Sequence, residues 1–273
     1  MFQVQEEQSQ LSQVIGLFEV IYHATVRAIR KKHSNALFGL LLNMLQTMML
    51  VAVFYLMFAV LGMRRAALRG DFLIYIMSGI FLYMTHIKTL TAVASAEGPN
   101  SSIMHHAPMT TFVTISAAAL SQLYLQLLSV MVVLYIYHIA ISPIEFYDIS
   151  GTFFMLLLSW FTGIGVGLIF LALKPWLPQF SAVAQQLYTR ANMIASGKMF
   201  VANTLPHKML VLFNWNPLFH TIDQARGFAF INYSPHYSNW LYPLLVGQAL
   251  LLIGFMGEAY TRKHASLSWS SRQ

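Results

Sequence analysis

Apolar residues run through most of the chain in long blocks separated by short polar connections. A helix needs about 20 predominantly apolar residues to cross a bilayer. Blocks of that length cover Leu37 to Leu61, Phe72 to Ala94, Thr111 to Ile141, Phe153 to Leu173 and Trp240 to Gly257. Each predicts a transmembrane helix. Ahead of them, Leu11, Val14, Ile15, Phe18, Ile21, Tyr22 and Ile29 recur at helical spacing, and Arg27, Arg30, Lys31 and Lys32 end the segment. An apolar stripe with a basic end describes an amphipathic helix lying on a membrane surface.

Polar residues inside the blocks share faces. Asn43, Gln46 and Thr47 in the first block, and Gln122, Gln126 and Ser129 in the third, recur at spacings of three and four, so each set should meet other helices or a pore, not lipid. Lys88 lies near the end of the second block and can snorkel. Gly163 and Gly167 make a small-residue ridge suited to close helix contact. Ser181 to Asn203 is less apolar, yet Gln185, Thr189, Asn192, Ser196 and Asn203 lie 4, 3, 4 and 7 residues apart. That is one helical stripe, and it predicts a further span whose polar face needs a wet cavity or a helix interface.

On the same helix Arg190 and Lys198, eight residues apart, fall roughly on one side. A charge at the bilayer centre costs at least ~2.5 kcal/mol, so a basic wall for an anionic substrate competes with a plainer reading. In that reading Arg190 pairs with Gln186 or carbonyls and Lys198 snorkels. After Pro206, the pieces Met209 to Phe213 and Leu218 to Ile231 are too short to cross, and Asn216-Pro217 divides them as a stop and restart. They read as re-entrant or interfacial helices. The expected fold is an all-α polytopic membrane protein with six transmembrane helices, an N-terminal amphipathic interfacial helix and a re-entrant helical hairpin before the last span. The expected regions are 1–36, a cytoplasmic N-terminal segment, 37–259, the membrane domain, and 260–273, a cytoplasmic tail.

Composition agrees: 57% of the 273 residues are hydrophobic and 9% charged, against roughly 25% charged in soluble domains. Cysteine is absent, which removes disulfides, thiolate metal sites and nucleophilic thiols. Met1 to Gln10 is polar and acidic and does not read as a cleavable signal peptide. The formal charge of +7 would suggest nucleic acid in a soluble protein, but the basic residues cluster at span ends, where orientation explains them and no nucleic-acid partner is expected. With both termini in the cytoplasm, Arg27, Arg30, Lys31, Lys32, Lys174, Arg262, Lys263 and Arg272 lie inside, and Arg64, Arg65, Arg69, Lys208 and Arg226 outside. The excess inside favours that orientation.

Candidate chemistry is sparse. His105 and His106 are the most suggestive of ten histidines, but a metal site needs three or four converging ligands, and neither HExxH nor an EF-hand pattern is present. No metal site is expected. The chain lacks a GxxxxGK[ST] phosphate loop and a GxSxG elbow, so any ATP dependence must come from a partner and catalysis is the minority reading.

Ser196-Gly197, Leu205-Pro206, Asn216-Pro217-Leu218, His220, Asp223, Arg226, Ser234-Pro235 and the final span together resemble the C-terminal third of type-2 ABC exporter permeases for capsular polysaccharide and O-antigen. The likeness extends loosely over nearly the whole chain, including Arg27 to Leu40. It implies a bacterial inner-membrane half-transporter that forms a homodimer and is not itself an enzyme. Two copies of a separate ABC ATPase subunit would hold ATP and Mg, with no cofactor on this chain, and the cargo would be a polysaccharide or lipid-linked glycan.

The same likeness casts Glu97 to Pro108 as the ATPase-coupling loop, with Glu97, Asn100, Ser101, His105 and His106. It assigns Gln185, Thr189, Arg190, Asn192 and Ser196 to the channel lining, and Trp215, Asn216, Pro217, Asp223 and Arg226 to an outer gate. Lys198 is polar where the family has an apolar residue. Tyr188, Trp215, Tyr233 and Trp240 offer flat faces with polar tips that suit sugar, although Trp240 fits interfacial anchoring better. Alternatives are a related exporter of drugs or lipids, or a membrane enzyme acting on lipid head groups through histidines.

Overall fold

The computed structural model describes residues 10–32, 36–60, 71–97 and 110–264. All regular structure among them is helical, in the order α1 (Gln10–Lys32), α2 (Ala36–Val60), α3 (Phe72–Ala94), α4 (Thr111–Ala140), α5 (Ile149–Leu173), α6 (Pro178–Ala195), α7 (His207–Phe213), α8 (Pro217–Ala229) and α9 (Leu241–His264). Five of these, α2, α3, α4, α5 and α9, are long and apolar enough to cross a membrane. The architecture is that of a polytopic membrane protein. The expected coupling loop with Asn100, Ser101, His105 and His106, and the loop with Arg64, Arg65 and Arg69, lie outside the described residues.

Helix starts follow local capping chemistry. Asp71 accepts from Leu73 N–H at 2.9 Å to begin α3, Thr110 from Val113 N–H at 3.3 Å to begin α4, and Asp148 from Gly151 N–H at 3.0 Å to begin α5. Each side-chain oxygen satisfies an amide that has no partner inside the helix. The Asp148 cap starts α5 four residues before the expected Phe153, through the polar pair Ser150 and Thr152. Hydropathy alone passes over such a start.

At the centre stands α3, packed on α2, α4, α5 and α8, with α9 against the far side of α5 and α1 across α4. Between α3 and α5 the expected glycine ridge is realised. A Cβ at Gly163 would come within 2.7 Å of the His86 carbonyl, and one at Gly167 within 2.8 Å of the Leu90 carbonyl. Only hydrogen fits there, and the two backbones approach accordingly. Asn43 and Thr47 turn inward and the α4 polar face is buried, whereas Gln46 is exposed. Lys88 does not snorkel: its ammonium donates to the Asn43 side-chain oxygen, and Asn43 in turn donates to Ser129 Oγ at 2.6 Å.

The polar segment after Pro178 departs from expectation at its far end. α6 stops at Ala195 with Ser196 as its C-cap, because Gly197 adopts φ +73°, a left-handed conformation that ends a helix and that glycine takes without steric cost. Asn203 therefore leaves the stripe, and Lys198 does not share a helix with Arg190.

Candidate functional site

The residues that a simple lipid-facing bundle would not need are gathered on α6 and on the cap that follows it, residues 196–240. Gln185, Thr189, Asn192 and Ser196 do lie along one side of the chain's path, and that side faces protein. Gln185 donates to Thr91 Oγ1 at 3.4 Å, the Thr189 carbonyl accepts from the Tyr83 hydroxyl at 3.3 Å, and Asn192 and Ser196 are buried. Of the five expected lining residues only Arg190 is exposed. The opposite flank presents Phe180, Val183, Leu187 and Ile194, each more than half exposed, together with Gln186 and Arg190.

A contact that the sequence does not announce fixes the middle of α6. His86, in α3, is fully buried. Its Nδ1 lies 3.2 Å from the Ser159 carbonyl and its Nε2 3.0 Å from the Tyr188 hydroxyl. A carbonyl can only accept, so Nδ1 carries the proton and Nε2 accepts from Tyr188. One neutral imidazole thereby joins α3, α5 and α6. A lone histidine in an apolar block offers no spacing partner, and its partner stands 102 residues away; in the sequence Tyr188 stands out only as a flat aromatic with a polar tip.

The cap holds the end of α6. Asn216 begins α8 by accepting from Leu218 N–H at 3.0 Å and donates to Asn192 Oδ1 at 2.8 Å and to the Ala195 carbonyl at 3.0 Å. Pro217 occupies the first turn of α8, where its missing N–H is no loss. From the other end of α8, Arg226 is 1% exposed and donates to the carbonyls of Gly197 at 2.9 Å, Lys198 at 2.7 Å and Phe200 at 2.6 Å, with its guanidinium 4.1 Å from the Tyr75 ring centre. The planar fork matches three converging carbonyls as an ammonium could not. Gly197 is required here for a second reason, since a Cβ would lie 2.7 Å from the Phe219 ring.

Asp223, one turn before Arg226, accepts from the Tyr233 hydroxyl and from Ser238 Oγ at 2.7 Å. Burial, and then the neighbouring Asp223 carboxylate, push the Tyr233 hydroxyl upward from its ordinary value, so it remains a donor. His220 donates from Nε2 to the Asn214 carbonyl at 2.8 Å and accepts at Nδ1 from Asn239 N–H at 3.0 Å. Burial lowers its pKa, opposed by the Asn214 carbonyl and the Asp223 charge; both ring nitrogens are already used in the neutral form. Asn216, Pro217, Asp223 and Arg226 of the expected gate thus form the interior bracing of the cap. Trp215, 80% exposed, stands outside it, its carbonyl accepting from the Tyr242 hydroxyl.

Lys198 is buried, and its ammonium finds no hydrogen-bond partner among the described residues. It lies 3.4 Å from the Tyr83 ring centre and 5.0 Å from that of Phe54, a cation over aromatic faces. Among the described residues no three His, Asp or Glu side chains are grouped to hold a metal. In comparison with known proteins, no family model matches the chain, and no curated protein matches it.

Proposed function

We propose that this chain is the membrane-spanning permease subunit of an ATP-driven exporter of polysaccharide, of the capsule or O-antigen kind and carried on a lipid, with ATP hydrolysed by a separate partner. In this reading α6 is a sixth crossing: its 18 residues span ~27 Å at 1.5 Å per residue. The short helices α7 and α8 with the loop to α9 form a re-entrant unit closing one side of the membrane, and both termini lie in the cytoplasm of the inner membrane.

One observation carries the reading. α6 is braced on one side by polar contacts and leaves a whole flank uncovered, with Arg190 and Gln186 among apolar side chains. Charge is expensive against lipid, so this flank suits a hydrated passage completed by a second copy of the chain. The likeness of the cap residues to polysaccharide permeases supports the cargo class, and the lack of a phosphate loop supports a partner ATPase. Deleting the chain should abolish polysaccharide at the cell surface and trap the polymer in the cytoplasm, and an ATPase bearing a phosphate loop should purify with the chain from membranes in mild detergent. Unchanged surface polysaccharide would overturn the reading, as would turnover of a lipid by the isolated chain without ATP.

A further inference from the structure

Away from α6, a groove of about 360 Å³ runs between α1, α3 and α4. Its size falls within the range of small-molecule sites. Its walls combine alanines, Ala92 and Ala118 among them, with Thr91, Ser95, Thr114, Ser121 and Gln122; the hydroxyls of Thr91, Thr114 and Ser121 donate to carbonyls of their own helices, so the slot keeps a mainly apolar surface. Arg27 lies on its rim and also belongs to an adjoining surface hollow with His23, Val26 and Arg30. Glu97 reaches the groove from the end of α3, and Arg27 with Arg30 outweighs its charge.

The outer surface of α1 adds a second clue. Ile15, Phe18 and Tyr22 are each about two-thirds exposed, while Ile21 is buried and α1 packs on α4. An apolar exposed face ending in arginines is the surface that a bilayer interface covers. The groove therefore opens where acyl chains and phosphates are the surrounding solvent. An apolar slot under a basic rim matches one occupant in both parts, a hydrocarbon tail below and a phosphodiester above.

We propose that the groove under α1 binds a single anionic glycerophospholipid, one acyl chain lodged in the slot and the phosphate held by Arg27 and Arg30. This rests on the membrane architecture and stands or falls independently of the exporter reading. The lipid would fill the space between the surface helix and the α3–α4 pair, coupling the position of α1 to them.

Native mass spectrometry of the full chain in mild detergent, with phosphatidylglycerol or phosphatidylcholine added at equal concentration, tests it. The wild-type chain should retain one phosphatidylglycerol with about tenfold preference over phosphatidylcholine, because the two share a phosphate but the choline cation cancels its charge and is repelled by two arginines. Ala118→Phe should abolish retention of both lipids, and Ala92→Leu, approaching from the opposite wall, should do the same if the first variant fails to give a monodisperse protein. Arg27→Ala combined with Arg30→Ala should keep the hydrocarbon contact and lose the preference. Inorganic phosphate should not displace the lipid. Undiminished phosphatidylglycerol in a plugged, monodisperse variant would overturn the proposal, as would equal retention of the two lipids by the wild-type chain or displacement by phosphate alone.

Discussion

α3 and α6 both carry polar side chains, but α3 is buried along most of its length and α6 leaves a flank exposed. On α3 the Ser78 and Thr85 hydroxyls return to its own backbone, at 2.8 Å from the Tyr75 carbonyl and 2.7 Å from that of Phe81, while Tyr83 and His86 reach out to α6. α6 leans chiefly on α3 and α5, and its polar groups reach across to other elements at Thr91, Tyr83, His86 and Asn216. An enclosed helix is held by apolar packing, whose loss on displacement is large. α6 is held by a few discrete hydrogen bonds, each worth about 0.5–1.5 kcal/mol net. Such a helix can exchange one set of partners for another, as the proposed exporter reading requires of it.

The largest expected effect comes from cutting the clamp at the end of α6. Arg226→Met should cost about 3–5 kcal/mol, because three buried carbonyls lose a charged donor, and Arg226→Lys should restore little of it; thermal unfolding in detergent followed by helical signal reads both. Leu90, fully buried in α3, and Leu187, 62% exposed on α6, test the contrast itself. Leu90→Ala should lose about 2–5 kcal/mol and Leu187→Ala less than about 0.5 kcal/mol. Equal losses in denaturant titrations would erase the distinction between the helices.

Tyr188→Phe leaves the His86 acceptor unmatched and should cost about 1–3 kcal/mol. A double-mutant cycle with His86→Leu should show strong coupling, whereas additive losses would mean that the imidazole does not hold α6. The smallest effect is expected at Lys198. Lys198→Met removes a desolvated ammonium along with its attraction to Tyr83 and Phe54, contributions of opposite sign that offset each other in part. The unfolding midpoint should stay within a few degrees of wild type, and a collapse would reveal a partner for the charge.

The spans were legible because a bilayer demands length and hydropathy, and both are local properties of the chain. α3 began at the expected Phe72 and α4 at the expected Thr111. The stripe on α6 was legible too, but periodicity identifies a face that avoids lipid without saying whether protein or water meets it. Gln185, Thr189 and Asn192 found protein. The early end of α6 was hidden because glycine permits many backbone conformations; Phe219, 22 residues later, and the Arg226 fork make Gly197 indispensable. The cap residues were recognisable as a group, yet their inward role depends on long-range pairings such as Asn192 with Asn216, which no local spacing encodes.

The chain has no cysteine, so a single introduced thiol reports on its own surroundings, and labelling by a membrane-impermeant, water-soluble maleimide in membrane fragments accessible from both faces tests the central claim most directly. Leu187→Cys and Arg190→Cys, on the free flank of α6, should react rapidly, while Val53→Cys on α2 and Leu252→Cys on α9, exposed on helices apolar enough to span a membrane, should not. If the α6 thiols proved as inert as those on α2 and α9, that flank would face lipid and the hydrated passage would be lost.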